Sequence, residues 1–168
     1  DNDILSNTAE LGGGIYALDC TNAALGDNDI LSNTADYGGG IYMEDDGDAR
    51  LRGNDIRKNV AIEAGGGIYL EHGVESEVEG GVTLENNVIA DNRADSGGGM
   101  YVGGNTCAIH TTLARNVATG NGSGVYVTPT GMKVIFPTTL TMTNTILVSH
   151  TVGISVTNLS MLILDGVL

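Results

Sequence analysis

One block of residues returns along this chain at nearly constant spacing, and that periodicity limits the fold more than any other feature. Asn2-Asp-Ile-Leu-Ser-Asn7-Thr-Ala9 recurs 26 residues later as Asn28-Asp-Ile-Leu-Ser-Asn33-Thr-Ala35. It returns as Asn54-Asp-Ile-Arg-Lys-Asn59-Val-Ala61 and as Asn87-Val-Ile-Ala-Asp-Asn92-Arg-Ala94. Thr111-Thr-Leu-Ala-Arg-Asn116-Val-Ala118 is a copy degenerate at its first position, and Asn144-Thr-Ile-Leu-Val-Ser149 is one degenerate at its last. A glycine-rich block follows each copy. Gly12-Gly-Gly-Ile-Tyr16 is repeated unchanged at Gly38 to Tyr42 and Gly65 to Tyr69. It varies to Gly-Gly-Gly-Met-Tyr at Gly97 to Tyr101 and to Gly-Ser-Gly-Val-Tyr at Gly122 to Tyr126, and survives as Gly153-Ile-Ser155. From Tyr to Tyr the spacings are 26, 27, 32 and 25 residues.

Periods of this size belong to solenoids, propellers or arrays. The apolar pieces between the glycines are short and β-branched, which excludes helices. A propeller blade needs four antiparallel strands in a longer repeat, and the strand consensus of leucine-rich repeats is missing. A coil of this length holds three short strands and three turns. The expected fold is therefore all-β, a right-handed single-stranded parallel β-helix of about six coils. Strand side chains alternate, so Ile15, Ile41, Ile68, Met100, Val125 and Ile154 should form one inward file. Ala17, Met43, Leu70, Val102, Val127 and Val156 should form another, with the Tyr between them pointing out. Ile4, Ile30, Ile56, Ile89, Leu113 and Ile146 make a further inward file. Stacked Asn can pass amide hydrogen bonds along the rod. Asn7, Asn33, Asn59, Asn92 and Asn116 are expected to form one such ladder, and Asn2, Asn28, Asn54, Asn87 and Asn144 another.

The 168 residues fit one domain. With one Phe and no Trp, the core must be filled by aliphatic side chains. A net charge of −14 with seven Lys and Arg argues against nucleic acid, which is held by basic side chains, and against anionic lipid. No apolar run approaches the roughly 18 residues of a membrane span, so no membrane insertion is expected of this segment. The opening Asp1-Asn2-Asp3 falls inside a repeat, which suggests a segment cut from a longer protein, with degenerate coils over about 127–168.

The paired motifs resemble the repeats of polymorphic outer-membrane proteins, which couple Gly-Gly-Ala-Ile with Phe-x-x-Asn. Here the first reads Gly-Gly-Gly-Ile, and the second reads Ile-x-x-Asn at Ile4–Asn7, Ile30–Asn33, Ile56–Asn59 and Ile89–Asn92. The pattern also resembles large β-helix surface proteins of environmental bacteria. The resemblance implies a secreted or cell-surface module, often adhesive.

Departures from the period are where function is usually grafted. The longest spacing, Tyr69 to Tyr101, holds an acidic insert that begins Glu71-His72-Gly73, and Asp45, Asp46 and Asp48 lie one coil earlier. Asp45, Asp46, Asp48 and Glu71 are candidate calcium ligands, because Ca²⁺ takes clustered carboxylate oxygens, though no EF-hand spacing is present. No other cofactor is indicated. Tyr16, Tyr42, Tyr69, Tyr101 and Tyr126 form a candidate surface for a carbohydrate or protein ligand, since Tyr joins an apolar body to a polar tip. The alternative to a structural or adhesive module is a carbohydrate-active enzyme, a polysaccharide lyase or glycosidase, which needs paired carboxylates on an outer face. Asp3, Asp29 and Asp55 recur with the repeat, as structural turn residues do. His72, His110 and His150 share no metal-like spacing and suit surface or turn positions. Cys20 and Cys107 lie three coils apart, about 14 Å, beyond disulfide reach. Open end coils expose unpaired backbone and apolar core, so end-to-end stacking with a copy or with further coils is expected.

Overall fold

In a computed structural model, residues 2–20, 22–44, 47–71, 81–129, 137–157 and 159–168 are described. The described residues form twenty-two strands and no helix, so none of them crosses a membrane as a helix. All named strand pairs are parallel, and the chain winds in the right-handed sense that parallel crossovers take.

Each turn of the chain contributes a rung, and equivalent strands stack into sheets labelled here in the order the chain visits them. Sheet 1 runs from Asp3–Leu5 through Asp29–Leu31, Asp55–Arg57, Val88–Ala90 and Thr112–Ala114 to Ile146–Val148. Sheet 2 is shorter, with Thr34–Tyr37, Val60–Ala64, Arg93–Ala94 and Val117–Ala118. Sheet 3 holds Ile15–Leu18, Ile41–Glu44, Ile68–Glu71, Met100–Val102, Val125–Val127 and Ile154–Val156. Sheet 4 begins at Ala24–Gly26 and Arg50–Arg52 and ends at Thr138–Thr143 and Ser160–Asp165. Six rungs match the expectation. Three strands per coil does not, because the segment after the second Asn pairs with its neighbours as sheet 2.

The core is one continuous cluster of aliphatic side chains. Ile41 pairs with Ile15 and Ile68 and is fully buried, as are Ile30, Leu51, Ile56 and Leu84. Sheet 4 adds the file Leu25, Leu51, Leu84, Ala108 and Met142, each in register with the next, while Leu164, in register with Met142 on the last rung, is exposed.

Two amide ladders run beside this core. The side-chain oxygen of Asn59 accepts from the backbone N–H and the amide of Asn33, at 2.9 and 3.1 Å. Asn59 in turn gives its backbone N–H and amide to Asn92 Oδ1 at 2.9 and 3.1 Å, and its second amide hydrogen to the carbonyl of Ile30 at 2.8 Å. That uses every donor and acceptor an Asn side chain has. The pattern continues from Asn92 to Asn116. The other ladder runs from Asn2 to Asn28, Asn54 and Asn87.

The sixth rung corrects three expectations by one residue. Leu147, not Ile146, pairs with Leu113 and packs on the core, while Ile146 is 42 % exposed. Thr145, not Asn144, occupies the buried ladder seat beside Thr111, and both hydroxyls turn to nearby carbonyls. His150 takes the seat after Asn116, with Asn116 Nδ2 3.3 Å from its Nε2. His150 is thus a half-buried ladder member, whereas His110 keeps the expected turn position.

The cause lies in the backbone. From Asn7 onward each ladder residue is preceded by one with positive φ: Ser32 at 58° before Asn33, Lys58 at 56° before Asn59, Asp91 at 58° before Asn92. Asn enters this left-handed region more readily than most residues. Asn144 does so at 47° and fills the turn seat, which moves the ladder seat to Thr145.

The third glycine of a triplet is dictated by the ladder. A Cβ on Gly40 would stand 2.6 Å from the carbonyl of Gly67 and 3.0 Å from Asn59 Nδ2. The first has a conformational reason instead, Gly38 having φ of +64°.

Candidate ligand surface

Sheet 3 turns its tyrosines away from the aliphatic core, as strand alternation requires. Tyr16, Tyr42, Tyr69, Tyr101 and Tyr126 are neighbours in register. Rung spacing of about 4.8 Å is close to ring-stacking distance, so the strands themselves set the stack. Tyr42 and Tyr69 lie 4.9 Å apart with ring planes 6° from parallel, and Tyr69 and Tyr101 4.5 Å apart at 8°. At the two ends the rings tilt: Tyr16 meets Tyr42 at 43°, and Tyr126 meets Tyr101 at 72°.

Outward does not mean exposed along the whole file. Tyr42 and Tyr69 are 5 % and 7 % exposed and form a second small cluster with Ala64, Leu11 and Tyr101. Tyr37 closes it by setting its ring edge-on to Tyr69 at 5.5 Å. Tyr16 is 47 % exposed, and Tyr101 and Tyr126 are half-buried. The contact surface of the file is therefore its two ends and its rims, and the middle is self-packed.

Glu44 and Glu71 follow Tyr42 and Tyr69 by two residues and pair across the rungs. Tyr42 donates its hydroxyl to Glu71 Oε2 at 3.0 Å and approaches Glu44 Oε2 at 3.2 Å; Tyr69 donates to the same Glu71 oxygen at 3.3 Å. Burial, then the charge of Glu71, pushes the Tyr101 phenol up to about 12. The same two causes raise Tyr42 and Tyr69 further. These phenols stay protonated and serve as donors.

Charge is segregated around this face. The corner leading into sheet 3 carries an acidic residue on four successive rungs, Glu10, Asp36, Glu63 and Asp95, each just before the bridged positions Leu11, Tyr37, Ala64 and Ser96. Glu10, Glu63 and Asp95 are exposed. The far margin carries Glu44 and Glu71. Of the cations among the described residues, Arg93 alone stands near this margin, two residues before Asp95. Arg50 and Arg52 are on sheet 4, Arg57, Lys58 and Arg115 on or just after sheet 1, and Arg93 opens its strand of sheet 2. Arg115 makes a two-pronged pair with Asp91 at 2.7 and 2.6 Å, and Arg57 pairs with Asp55.

Of the four candidate calcium ligands, Asp45 and Asp46 lie outside the described residues, as do His72 and the rest of the acidic insert to residue 80. Asp48 is an exposed turn residue with φ of 56°, lining a shallow groove with Thr83, Cys107 and Thr139. Glu71 instead accepts from the two phenols. Among the described residues no three His, Cys, Asp or Glu converge on one point. Cys20 and Cys107 are not bridged to each other. Asp3, Asp29 and Asp55 pair in register on the strands of sheet 1, not at a corner. Tyr37 and the acidic corner column escaped the sequence reading. Tyr37 occurs on one rung only, where Leu11 and Ala64 hold its seat on the neighbours.

A family model described as "Right handed beta helix region" matches residues 1–166. No curated protein and no solved structure matches the chain significantly.

Proposed function

The chain belongs to the right-handed β-helix family, whose fold alone fixes no reaction, and on that premise we propose a structural and adhesive role. The module is a stiff spacer of a secreted or cell-surface protein that presents its tyrosine face to a carbohydrate or protein ligand. The observation that carries this reading is the Tyr file itself. Its middle rings are locked by stacking and by phenol–carboxylate hydrogen bonds, while Tyr16 at one end stays half-exposed. A pre-ordered aromatic surface loses little conformational entropy on contact. The net charge of −14 suits an extracellular setting, where it keeps the rod soluble.

The test is binding to a panel of immobilised polysaccharides and cell-surface proteins, with Tyr16→Ala and Tyr126→Ala as variants. Retention that falls in both variants, with the melting temperature unchanged, supports the reading. Catalytic release of reducing ends or unsaturated products from a polysaccharide would replace it with the enzyme alternative.

A further inference from the structure

We propose that the tyrosine face docks an arginine-rich polypeptide segment. The inference rests on the reading that this face binds a ligand, and names the ligand's chemistry.

Charge complementarity carries it. Eleven residues of the face are aromatic or acidic: Tyr16, Tyr42, Tyr69, Tyr101 and Tyr126 lie in one file, Glu10, Asp36, Glu63 and Asp95 along one margin, and Glu44 and Glu71 follow Tyr42 and Tyr69 on the other. No Lys or Arg among the described residues occupies sheet 3, and the one cation near its acidic corner is Arg93, two residues before Asp95. A neutral sugar would gain hydroxyl–carboxylate hydrogen bonds but no charge pairing from two acidic margins. A guanidinium gains twice, since at the open end of the file it stacks on Tyr16, which is 47 % exposed, and along the margin it forms a fork with a carboxylate. Lys has the charge but neither the plane nor the fork. The partner is also extended: the margin acids recur once per rung, at about 4.8 Å, and side chains on one face of a strand-like peptide recur at about 6.6 Å. Arg side chains are long enough to absorb that mismatch. Leu11 and Ile62, beside the same corner, add apolar surface for the guanidinium stems.

The experiment uses the whole chain and two probes of equal charge, a deca-arginine and a deca-lysine peptide, titrated calorimetrically at physiological salt. Three proteins are compared: the native chain, a face variant (Glu10→Gln, Glu63→Gln, Asp95→Asn) and a control of equal net charge (Asp3→Asn, Glu85→Gln, Asp165→Asn). The substituted carboxylates of the face variant are exposed, so folding, checked by circular dichroism, should survive. The expected result is a preference for the arginine peptide, with affinity about tenfold weaker in the face variant and nearly unchanged in the control. Tyr16→Ala should narrow the preference for arginine over lysine, because it removes the stacking surface. Equal binding of both peptides, or equal loss in face variant and control, would mean non-specific attraction to a −14 protein and would overturn the proposal. Binding of a neutral oligosaccharide that depends on Tyr16, without peptide binding, overturns it while leaving the binding-module reading intact. Failure of both ligands defeats both.

Discussion

Asn59 and Asn144 show how one residue type serves opposite purposes in this rod. Asn59 is fully buried with its side chain saturated by four hydrogen bonds, whereas Asn144 is exposed and contributes a left-handed turn. Asn59→Ala leaves several buried partners unpaired and should cost about 1–3 kcal/mol, read from urea unfolding. Asn144→Gly should be nearly neutral, since Gly enters positive φ freely; equal costs at the two sites would defeat the ladder argument. His150 is the weak ladder member. Its Nε2 faces a donating amide, so the ring is neutral with its proton on Nδ1, and Nδ1 is buried without a partner. Burial lowers its proton affinity below the ordinary histidine value of 6.5. A depressed folded value means that the neutral form's stability is present above pH 6.5 and lost as pH falls. His150→Asn should therefore stabilise the chain more at pH 5 than at pH 8. Thermal melts at the two pH values decide it, and equal gains would refute the protonation account.

Strand by strand, legibility followed recurrence. Sheets 1 and 3 were readable because Ile-x-x-Asn and Gly-Gly-Gly-Ile-Tyr repeat both an identity and a period. Sheet 2 was not, since Thr34–Tyr37, Val60–Ala64 and Arg93–Ala94 share little beyond one Ala, and an extra residue at Ile62 or Glu63 bulges one of them. Alternation gave the direction of the tyrosines but not their burial, which depends on the one-off Tyr37. Their unequal burial predicts unequal costs. Tyr69→Ala opens a cavity in the small cluster and should cost about 3–5 kcal/mol, while Tyr16→Ala at the exposed end should cost less than about 1 kcal/mol. Comparable losses would mean that the file is uniformly exposed or uniformly buried in solution. The phenols also set an alkaline limit. Tyr101 is raised from 10.0 to about 12, and a raised folded value contributes stability that is present below pH 10 and lost as pH climbs toward 12. Melting temperature should hold to about pH 9.5 and fall above it, less steeply in Tyr101→Phe; a flat profile to pH 12 would contradict the burial of these hydroxyls.

The whole molecule is a stack in which each rung touches only its neighbours, so its stability is a chain of similar interfaces rather than one shared core. That is why the fold was legible from a single sequence: a repeat that specifies one interface specifies them all. It is also why the reading failed at the sixth rung, where the coupling itself changes. There Asn gives way to His150, Thr145 continues the Thr already present at 111, and the third-glycine contact with a ladder amide is replaced at Gly124 by the Leu147 side chain. Ile154 and Leu162 are only partly buried there, whereas Ile41 and Leu84 are fully so. In a one-dimensional stack, local opening starts where an interface is weakest. Amide exchange should resolve this along the rod. The N–H groups of Val60 and Arg93, which bond the carbonyls of the ladder residues Asn33 and Asn59, should exchange about a hundredfold more slowly than those of Ile146 and Leu147. His150→Asn should narrow that gap by slowing the sixth rung alone. Uniform protection from rung one to rung six would mean that the coil unfolds as a single unit, and the nearest-neighbour picture would fail.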